Sequence, residues 1–166
     1  YRYIIKVADF FRVLVKKNDW VSTLQDEIEL VDDYIYIINV RYAGEIQYHK
    51  QVDETLLNVC VPGMIFQPIV ENSVKHGFCD MSGEKHIDLL IEKVEDDIAI
   101  SVRDNGIGME QEQIDRILRS REPEKSNTEE GGIGLDNVIT RLHIFYNYAD
   151  EFEIISEGEH MGTEVR

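Results

Sequence analysis

The sequence lacks an excess of positive charge. Its 166 residues include 17 Lys and Arg against 33 Asp and Glu, which gives a formal net charge of −16. Proteins that bind nucleic acid backbones depend on a basic surface, so this composition argues against nucleic acid as a partner. A single nucleotide is not excluded, because backbone N–H groups and a metal ion can hold phosphates locally.

Long apolar runs and cysteine clusters are also missing. No apolar run approaches the ~20 residues that a helix needs to cross a bilayer, and no signal-peptide pattern opens the chain. Cys60 and Cys79 have no metal-binding spacing, and we expect reduced thiols rather than a disulfide. The hydrophobic fraction of 43% is that of a soluble globular domain, and we expect one domain with a helical extension, as a piece of a longer protein.

Apolar periodicity predicts two helices at the amino end. The first covers residues 3–17, and the second runs from Leu24 to Tyr42 with apolar spacings of 3 and 4. Ser22 or Thr23 can cap the second helix, with Gln25 or Asp26 completing a capping box. Its apolar seam suits either a core-facing helix or a dimer seam, and periodicity alone leaves both open.

The remaining chain mixes strands and helices without a regular βαβ order, which predicts an α+β sandwich. Residues 110–130 carry seven acidic and four basic side chains, which indicates a solvated segment with one short helix near 114–118. The predicted strands are 45–52, 56–61, 86–94, 97–104, 152–157 and 162–165, and the predicted helices are 64–76, with Gly77 at its carboxyl cap, and 135–146.

The stretch "RDNGIGM" at 103–109 places Asp104 before Gly106 and Gly108. This pattern is typical either of a polar turn or of a backbone that approaches a ligand closely. In the second case Asp104 could accept a hydrogen bond from the exocyclic amine of adenine. Thr163, after Gly162, could support that contact with its hydroxyl.

Two further patches have the chemistry of a phosphate and metal site. Asn72, in "ENSVKHG", offers an oxygen ligand of the kind that Mg²⁺ prefers, although a helix-surface asparagine is the more ordinary interpretation. Lys75 and His76 follow one turn later, where a cation could meet phosphate. Gly132 and Gly134 precede a helix, where backbone amides bind phosphate or a hinge closes a loop.

Four boxes in this order resemble a known family. "FQPIVENSVKHG", "VRDNGIGM", "GGIGLDNVITRL" and "GTEV" are similar to the N, G1, G2 and terminal GT boxes of the GHKL (Bergerat-fold) ATP-binding domain. With "LQDEIELVDDYIYIINVRY" upstream, the chain resembles the LytS-like sensor histidine kinases of bacterial two-component systems. This implies a two-layer α/β sandwich with a mixed sheet covered on one face by helices. Residues 1–43 would be the trailing helices of the dimerisation and phosphotransfer region, residues 44–166 the catalytic domain, and about 109–130 its ATP lid.

The resemblance also implies roles for single residues. It makes Asn72 the Mg²⁺ ligand and Asp104 the group that reads adenine, with the G2 glycines at the phosphates and the lid hinge. The nucleotide-binding positions it implies are Asn72, Lys75, His76, Asp104, Gly106, Gly108, Gly132, Gly134, Leu135 and Thr163.

Two departures from the family pattern limit the activity that the resemblance implies. Hydrolytic members keep a carboxylate four residues before the Mg²⁺ asparagine, where this chain has Pro68, and Glu71 is a weak candidate base about 100° around the helix from Asn72. The phospho-acceptor of the family lies upstream in a Pro-His-Phe context. None of the histidines here has that setting: His49, His76, His86, His143 and His160.

The resemblance therefore implies a catalytic domain that binds ATP and Mg²⁺ for phosphoryl transfer to a histidine, and then to an aspartate of a response-regulator receiver domain. It further implies a homodimer through the amino-terminal helices and a cytoplasmic location in a membrane-anchored bacterial sensor. The alternatives are a non-catalytic nucleotide-sensing scaffold and, less favoured, a GHKL ATPase.

Overall fold

Two helices and a short strand form the amino-terminal part of the molecule. The computed structural model describes residues 2–16, 20–79, 81–119, 133–146, 152–158 and 160–166. Helix α1 spans Arg2–Lys16, strand β1 spans Val21–Thr23 and helix α2 spans Leu24–Arg41. Both helices lie close to the predicted bounds. Within the described ranges, no helix combines the length and the apolar character needed to cross a membrane.

Helix α2 begins at the predicted capping box. Thr23 Oγ1 accepts the backbone N–H of Asp26 at 3.1 Å, and the Asp26 carboxylate accepts the N–H of Thr23 at 3.4 Å. Two amide groups without an intrahelical partner are thereby satisfied. The helix end is followed by Gly44 at φ +82°, the left-handed conformation that favours glycine.

A mixed five-stranded sheet forms the body of the fold. Its order is β2-β4-β5-β7-β6, in which β2 pairs parallel with β4 and all other neighbours are antiparallel. The strand bounds are Ile46–Val52 for β2, Lys85–Val94 for β4, Asp97–Asp104 for β5, Ile154–Ile155 for β6 and Thr163–Val165 for β7. This arrangement confirms the predicted α+β class.

The helices cover one face of this sheet. In β4 the side chains of Ile87, Leu89 and Ile91 are buried in the core, while the alternating Asp88 and Glu92 are exposed. The covering layer contains α2, α3 (Phe66–Asn72), which continues into a π-helical turn at Ser73–Gly77, α4 (Gln111–Arg119) and α5 (Ile133–Tyr146). The period-2 alternation that predicted β4 is thus the pattern of a strand with one buried face.

The predicted strand at 56–61 is wrong. The Asp53 carboxylate accepts the backbone N–H of Thr55 at 2.9 Å and caps a 3₁₀ turn over Glu54–Leu56. The local side-chain hydrogen bond competes with strand pairing. Only Cys60–Pro62 forms a strand, β3, which pairs antiparallel with β1.

Three other elements differ from their predicted bounds. The helix predicted at 64–76 begins at Phe66, so that Pro68 lies in the first turn, where its missing N–H has no intrahelical partner to lose. The strand predicted at 152–157 is present only at Ile154–Ile155. The short helix predicted near 114–118 is confirmed as α4 and is longer, Gln111–Arg119, with Ile114 buried in the core. The rest of the predicted lid, residues 120–130, lies outside the described residues.

Candidate functional site

The site is organised around Asp104, the last residue of β5. Its side chain is buried, although a carboxylate normally lies at the surface. Ser73 Oγ donates a hydrogen bond to one carboxylate oxygen at 2.7 Å, and the backbone N–H of Gly106 donates to the other at 2.8 Å. The backbone N–H of Thr163 on β7 also bonds this carboxylate. Asp104 is therefore held by groups from three separate parts of the chain.

Two opposing effects set the pKa of Asp104. Burial raises the pKa above its ordinary value, because the ionised form loses its hydration. The hydrogen bonds from Ser73, Gly106 and Thr163 stabilise the ionised form and act in the opposite direction. Burial is the larger effect, so this carboxyl takes up a proton at a higher pH than an exposed aspartate does.

Replacing Ser73 by alanine is expected to raise the pKa of Asp104 further, because a donor to the ionised form is lost while the burial remains. A carbon-detected NMR titration of the Asp104 carboxyl would show its midpoint at a higher pH in Ser73→Ala than in the unmodified chain. Ser101→Ala is the matched control, since Ser101 bonds Glu164 on the outer face of the sheet at 2.9 Å. An unchanged midpoint in Ser73→Ala would contradict this prediction.

The loop after Asp104 packs against the π-helical turn. A Cβ on Gly106 would lie 2.4 Å from the backbone oxygen of Gly77, a distance that real side chains do not adopt. The N–H of Ile107 donates to the same oxygen at 2.8 Å. Gly77 was predicted as a helix cap, but Phe78 is the cap residue. Gly77 is a glycine because its backbone lies against Asp104 and Gly106.

The same loop is held from its other side by the turn between β6 and β7. The N–H of Met109 donates to Ser156 Oγ at 2.9 Å, and Ser156 Oγ donates to the carbonyl oxygen of Gly162 at 2.8 Å. The N–H of Gly162 in turn donates to the oxygen of Gly106 at 3.0 Å. Gly108, at φ +79°, has no room for a Cβ beside Gly158. Close packing within the protein thus requires the glycines of this loop.

Asn72 is the last residue of α3 and directly precedes Ser73, the donor to Asp104. Its side chain is half-buried and makes no hydrogen bond with any other described residue. Lys75 and His76 follow on the π-helical turn, where both are exposed. The carboxylate of Glu71 forms an ion pair with Lys75 and accepts a hydrogen bond from Gln67 at 3.0 Å.

Of the predicted phosphate-binding glycines, Gly134 lies in the first turn of α5. Gly134 packs against α3, since a Cβ there would lie 3.7 Å from the Cβ of Pro68. Leu135 is buried in the core, so that its side chain does not reach a ligand. Gly132 lies outside the described residues. The structure therefore brings the described G2 positions against the helix that carries Asn72.

Two shallow depressions flank the loop after Asp104. The larger, of about 290 Å³, opens between His86, Asp88 and Arg103, which lie on the outer face of the sheet. The smaller, of about 220 Å³, lies against Gly106 and Ile107. Asp104 borders the larger depression, but neither depression is lined by Asn72 or Ser73. Because the Asp104 carboxylate bonds Ser73, we place the candidate site on the helical side of Asp104.

Comparison with known proteins identifies the family. The model of the family described as "Histidine kinase-, DNA gyrase B-, and HSP90-like ATPase" matches residues 62–166. The model of the family described as "Histidine kinase" matches residues 1–46. The chain belongs to the histidine kinase-, DNA gyrase B- and HSP90-like ATPase family. The predicted GHKL resemblance is thereby confirmed, and the chain contains an ATP-binding catalytic domain of the histidine kinase type.

The individual relatives are sensor kinases, LytS proteins among them, and they confirm the predicted LytS-like resemblance. The chain is 31% identical over 143 residues to the sensor protein LytS of Staphylococcus epidermidis, an alignment that covers 85% of this chain and 24% of the relative. It is 28% identical to the sensor histidine kinase YpdA of Escherichia coli over an alignment of 168 positions, which covers 98% of this chain and 27% of the relative. The chain thus spans about a quarter of the length of these curated relatives.

Solved structures agree in fold. The catalytic domain of the histidine kinase ThkA superposes with a TM-score of 0.57 at 16% identity, covering 87% of this chain and 93% of that domain. The histidine kinase domain of the blue-light activated kinase of Erythrobacter litoralis EL346 superposes with a TM-score of 0.54 at 17% identity, covering 99% of this chain and 70% of that one. These similarities support the two-layer mixed-sheet architecture.

Sequence reasoning missed Ser73 in this histidine kinase-like domain. A serine directly after Asn72 gives no periodic or spacing signal, since it is compatible with an ordinary helix. Its function as a donor depends on the contact with Asp104, 31 residues away along the chain. Ser156 was missed for the same reason.

Proposed function

We propose that this domain binds Mg-ATP and positions its γ-phosphoryl group for transfer to a histidine other than the five in this sequence, and from there to an aspartate of a response-regulator receiver domain. The observation that carries the proposal is the buried Asp104 carboxylate, which three donors hold at the end of β5. A buried carboxylate in a fixed orientation is suited to accept a hydrogen bond from a ligand amine.

Adenine recognition is assigned to Asp104, with Thr163 beside it. The carboxylate accepts from the exocyclic amine of adenine, which guanine lacks at that position, so the site selects ATP over GTP. Gly106 and Gly108 keep the loop close to the base because neither carries a side chain. The assignment gives both glycines a role in ligand binding, in addition to the close packing that the structure shows for them.

The phosphate end of the site is assigned to α3 and α5. Asn72 fits a Mg²⁺ ligand, because its half-buried side chain makes no hydrogen bond with another described residue. Mg²⁺ is commonly held by few protein groups together with phosphates. When bound, Mg²⁺ neutralises charge that develops on the phosphates. Lys75 and His76 offer donors on the next turn. The backbone of Gly132, Gly134 and Leu135 would bind phosphate at the helix start.

Catalysis in this proposal depends on positioning rather than on a strong base. Pro68 has no acceptor at the position where hydrolytic relatives keep a carboxylate. Glu71 is the candidate general base, and its present engagement with Gln67 and Lys75 limits it to a secondary role. A neutral imidazole is already a competent nucleophile, so transfer to histidine requires less activation than hydrolysis does.

We also propose the division into a helical region at 1–43 and a catalytic domain at 44–166, with a lid over about 109–130. The family matches to residues 1–46 and 62–166 support this division. In the whole protein the amino-terminal helices would form a homodimer, and the domain would lie in the cytoplasm as part of a membrane-anchored sensor.

The test combines binding with transfer. Calorimetric titration of the chain with ATP and GTP, each with and without Mg²⁺, should show tighter binding of ATP. A longer chain that includes the acceptor histidine should then form phosphohistidine from labelled ATP. ATP binding without phosphohistidine would favour the nucleotide-sensing scaffold, and equal binding of GTP would contradict the assignment of Asp104.

Replacing Asn72 by alanine is expected to abolish the Mg²⁺-dependent tightening of ATP binding, because the proposed protein ligand is removed. The ratio of the dissociation constants without and with Mg²⁺ should fall to about one, as for metal held by the phosphates alone. The exposed Asn58 provides a matched control, and Asn58→Ala should keep the ratio of the unmodified chain. If Mg²⁺ tightens binding equally in Asn72→Ala, another group holds the metal.

A further inference from the structure

Glu27 is a charged residue inside the hydrophobic core. It lies in the first turn of α2, and its relative exposure is 0%. Burial of a carboxylate is unfavourable unless hydrogen bonds replace its lost hydration. Its partners therefore indicate what the residue does.

Among those partners are three backbone amides at the start of α3. One carboxylate oxygen accepts the N–H of Met64 at 3.0 Å, and the other accepts the N–H groups of Ile65 at 2.9 Å and Phe66 at 3.5 Å. Ile65, at the cap position, makes no side-chain cap of its own. Because the first amides of a helix have no intrahelical partner and carry partial positive charge, the carboxylate of Glu27 caps α3 from another helix.

The cap depends on an unusual backbone conformation at Met64. Its φ of +63° is uncommon for a residue with a side chain. In that conformation the N–H groups of Met64 and Ile65 both reach the carboxylate of Glu27. The hydrogen bonds to Glu27 thereby stabilise a backbone shape that Met64 would otherwise disfavour.

Helix α2 also contacts the far end of the same segment. Tyr42, its carboxyl-terminal cap residue, donates its hydroxyl to the carbonyl oxygen of Val74 at 3.4 Å. The Nζ of Lys85 lies 5.7 Å from the centre of the Tyr42 ring. Helix α2 thus anchors this segment at two points, through Glu27 at its start and through Tyr42 at Val74. Asn72 and Ser73 lie between these two anchors.

Helix α1 in turn packs on α2. The rings of Phe10 and Tyr34 have centres 6.1 Å apart, and Lys6 forms an ion pair with Asp33. Burial raises the pKa of Tyr34, and the charge of Glu71 on α3 contributes in the same direction. A continuous set of contacts therefore runs from α1 through α2 to α3.

We propose that Glu27 is a positioning residue for the nucleotide site, and that α2 is the element through which the amino-terminal helices set nucleotide affinity. The inference rests on the proposed function. Glu27 acts through α3, which ends at Asn72 and leads into Ser73, the donor to Asp104. Loss of the cap releases the start of α3 and displaces the two groups at its end.

The test replaces Glu27 by glutamine, which has a similar size but turns an NH₂ group toward backbone donors. We expect the Kd for Mg-ATP to rise about tenfold, the scale of a lost charge-assisted hydrogen bond. The amides of α3 should exchange with deuterium about tenfold faster, while those of β4 stay unchanged. A merely global loss of stability would instead speed exchange in α3 and β4 alike and leave the affinity of the folded protein unchanged.

Glu29→Gln is the matched control. It makes the same chemical change on the same helix at an exposed position, where the carboxylate accepts a hydrogen bond only from Gln25 among the described contacts. Its Kd for Mg-ATP should stay within about twofold of the unmodified chain. Equal affinities of Glu27→Gln and Glu29→Gln would overturn the proposal.

If Glu27→Gln does not fold, a substitution at the other contact between α2 and this segment tests the same proposal. Tyr42→Phe removes only the hydroxyl at the other anchor and should weaken Mg-ATP binding about threefold, whereas an unchanged Kd would overturn the proposal. A failure of the proposed function would be distinguishable from a failure of the cap. If the unmodified chain bound no ATP, the function would be wrong, while faster exchange of α3 in Glu27→Gln would still establish the cap.

Discussion

Replacing Asp104 by asparagine is expected to weaken ATP binding by about 1.5–3 kcal/mol, or about 10–150-fold. The amide has the size of the carboxylate but no charge, and its one oxygen already faces the N–H of Gly106. Its NH₂ group can donate to Ser73 Oγ, so the fold is preserved. What is lost is the charged acceptor for the amine of adenine, and the preference for ATP over GTP should fall with it.

Calorimetry with ATP and GTP measures this effect, and thermal unfolding separates it from a loss of structure. Because burial penalises the ionised form of Asp104, the neutral amide is expected to leave the unfolding temperature nearly unchanged. Asp97→Asn makes the same change at the exposed start of β5 and should bind ATP as the unmodified chain does. Unchanged ATP affinity in Asp104→Asn would remove this residue from the adenine pocket.

The parts of the fold that were predictable have a local cause. The capping box of Thr23 and Asp26 lies within four residues, and the alternation of β4 is repeated along a single strand. The same kind of local signal failed at 56–61. There the carboxylate of Asp53 competes with the strand pattern, and a count of apolar residues does not register that competition.

The parts of the site that were not predictable depend on long-range contacts. Ser73 meets Asp104 across 31 residues, and Glu27 meets the start of α3 across 37 to 39. No pattern within a short window distinguishes these two side chains from surface residues of their helices. Gly106 was predicted for the approach of a ligand, and the structure adds a cause from within the protein, its contact with Gly77.

Replacing Gly162 by alanine is expected to produce the largest loss of stability among single glycine substitutions in the site. Its φ is +76°, and a Cβ would lie 2.1 Å from the backbone oxygen of Asp104. The left-handed conformation costs about 1–2 kcal/mol for a residue with a Cβ, and overpacking adds about 1–3 kcal/mol. The displaced backbone belongs to Asp104 and its neighbour Asn105, so ATP binding should be lost together with stability.

Gly44→Ala separates the two contributions to that loss. Gly44 has nearly the same φ, +82°, but a Cβ there would meet nothing within 4 Å. Denaturant unfolding should therefore show a loss of about 1–2 kcal/mol for Gly44→Ala with ATP affinity retained, and a larger loss for Gly162→Ala. Equal losses in the two variants would mean that the turn before β7 can move away from Asp104 at no cost, and that the close contact does not hold the carboxylate in place.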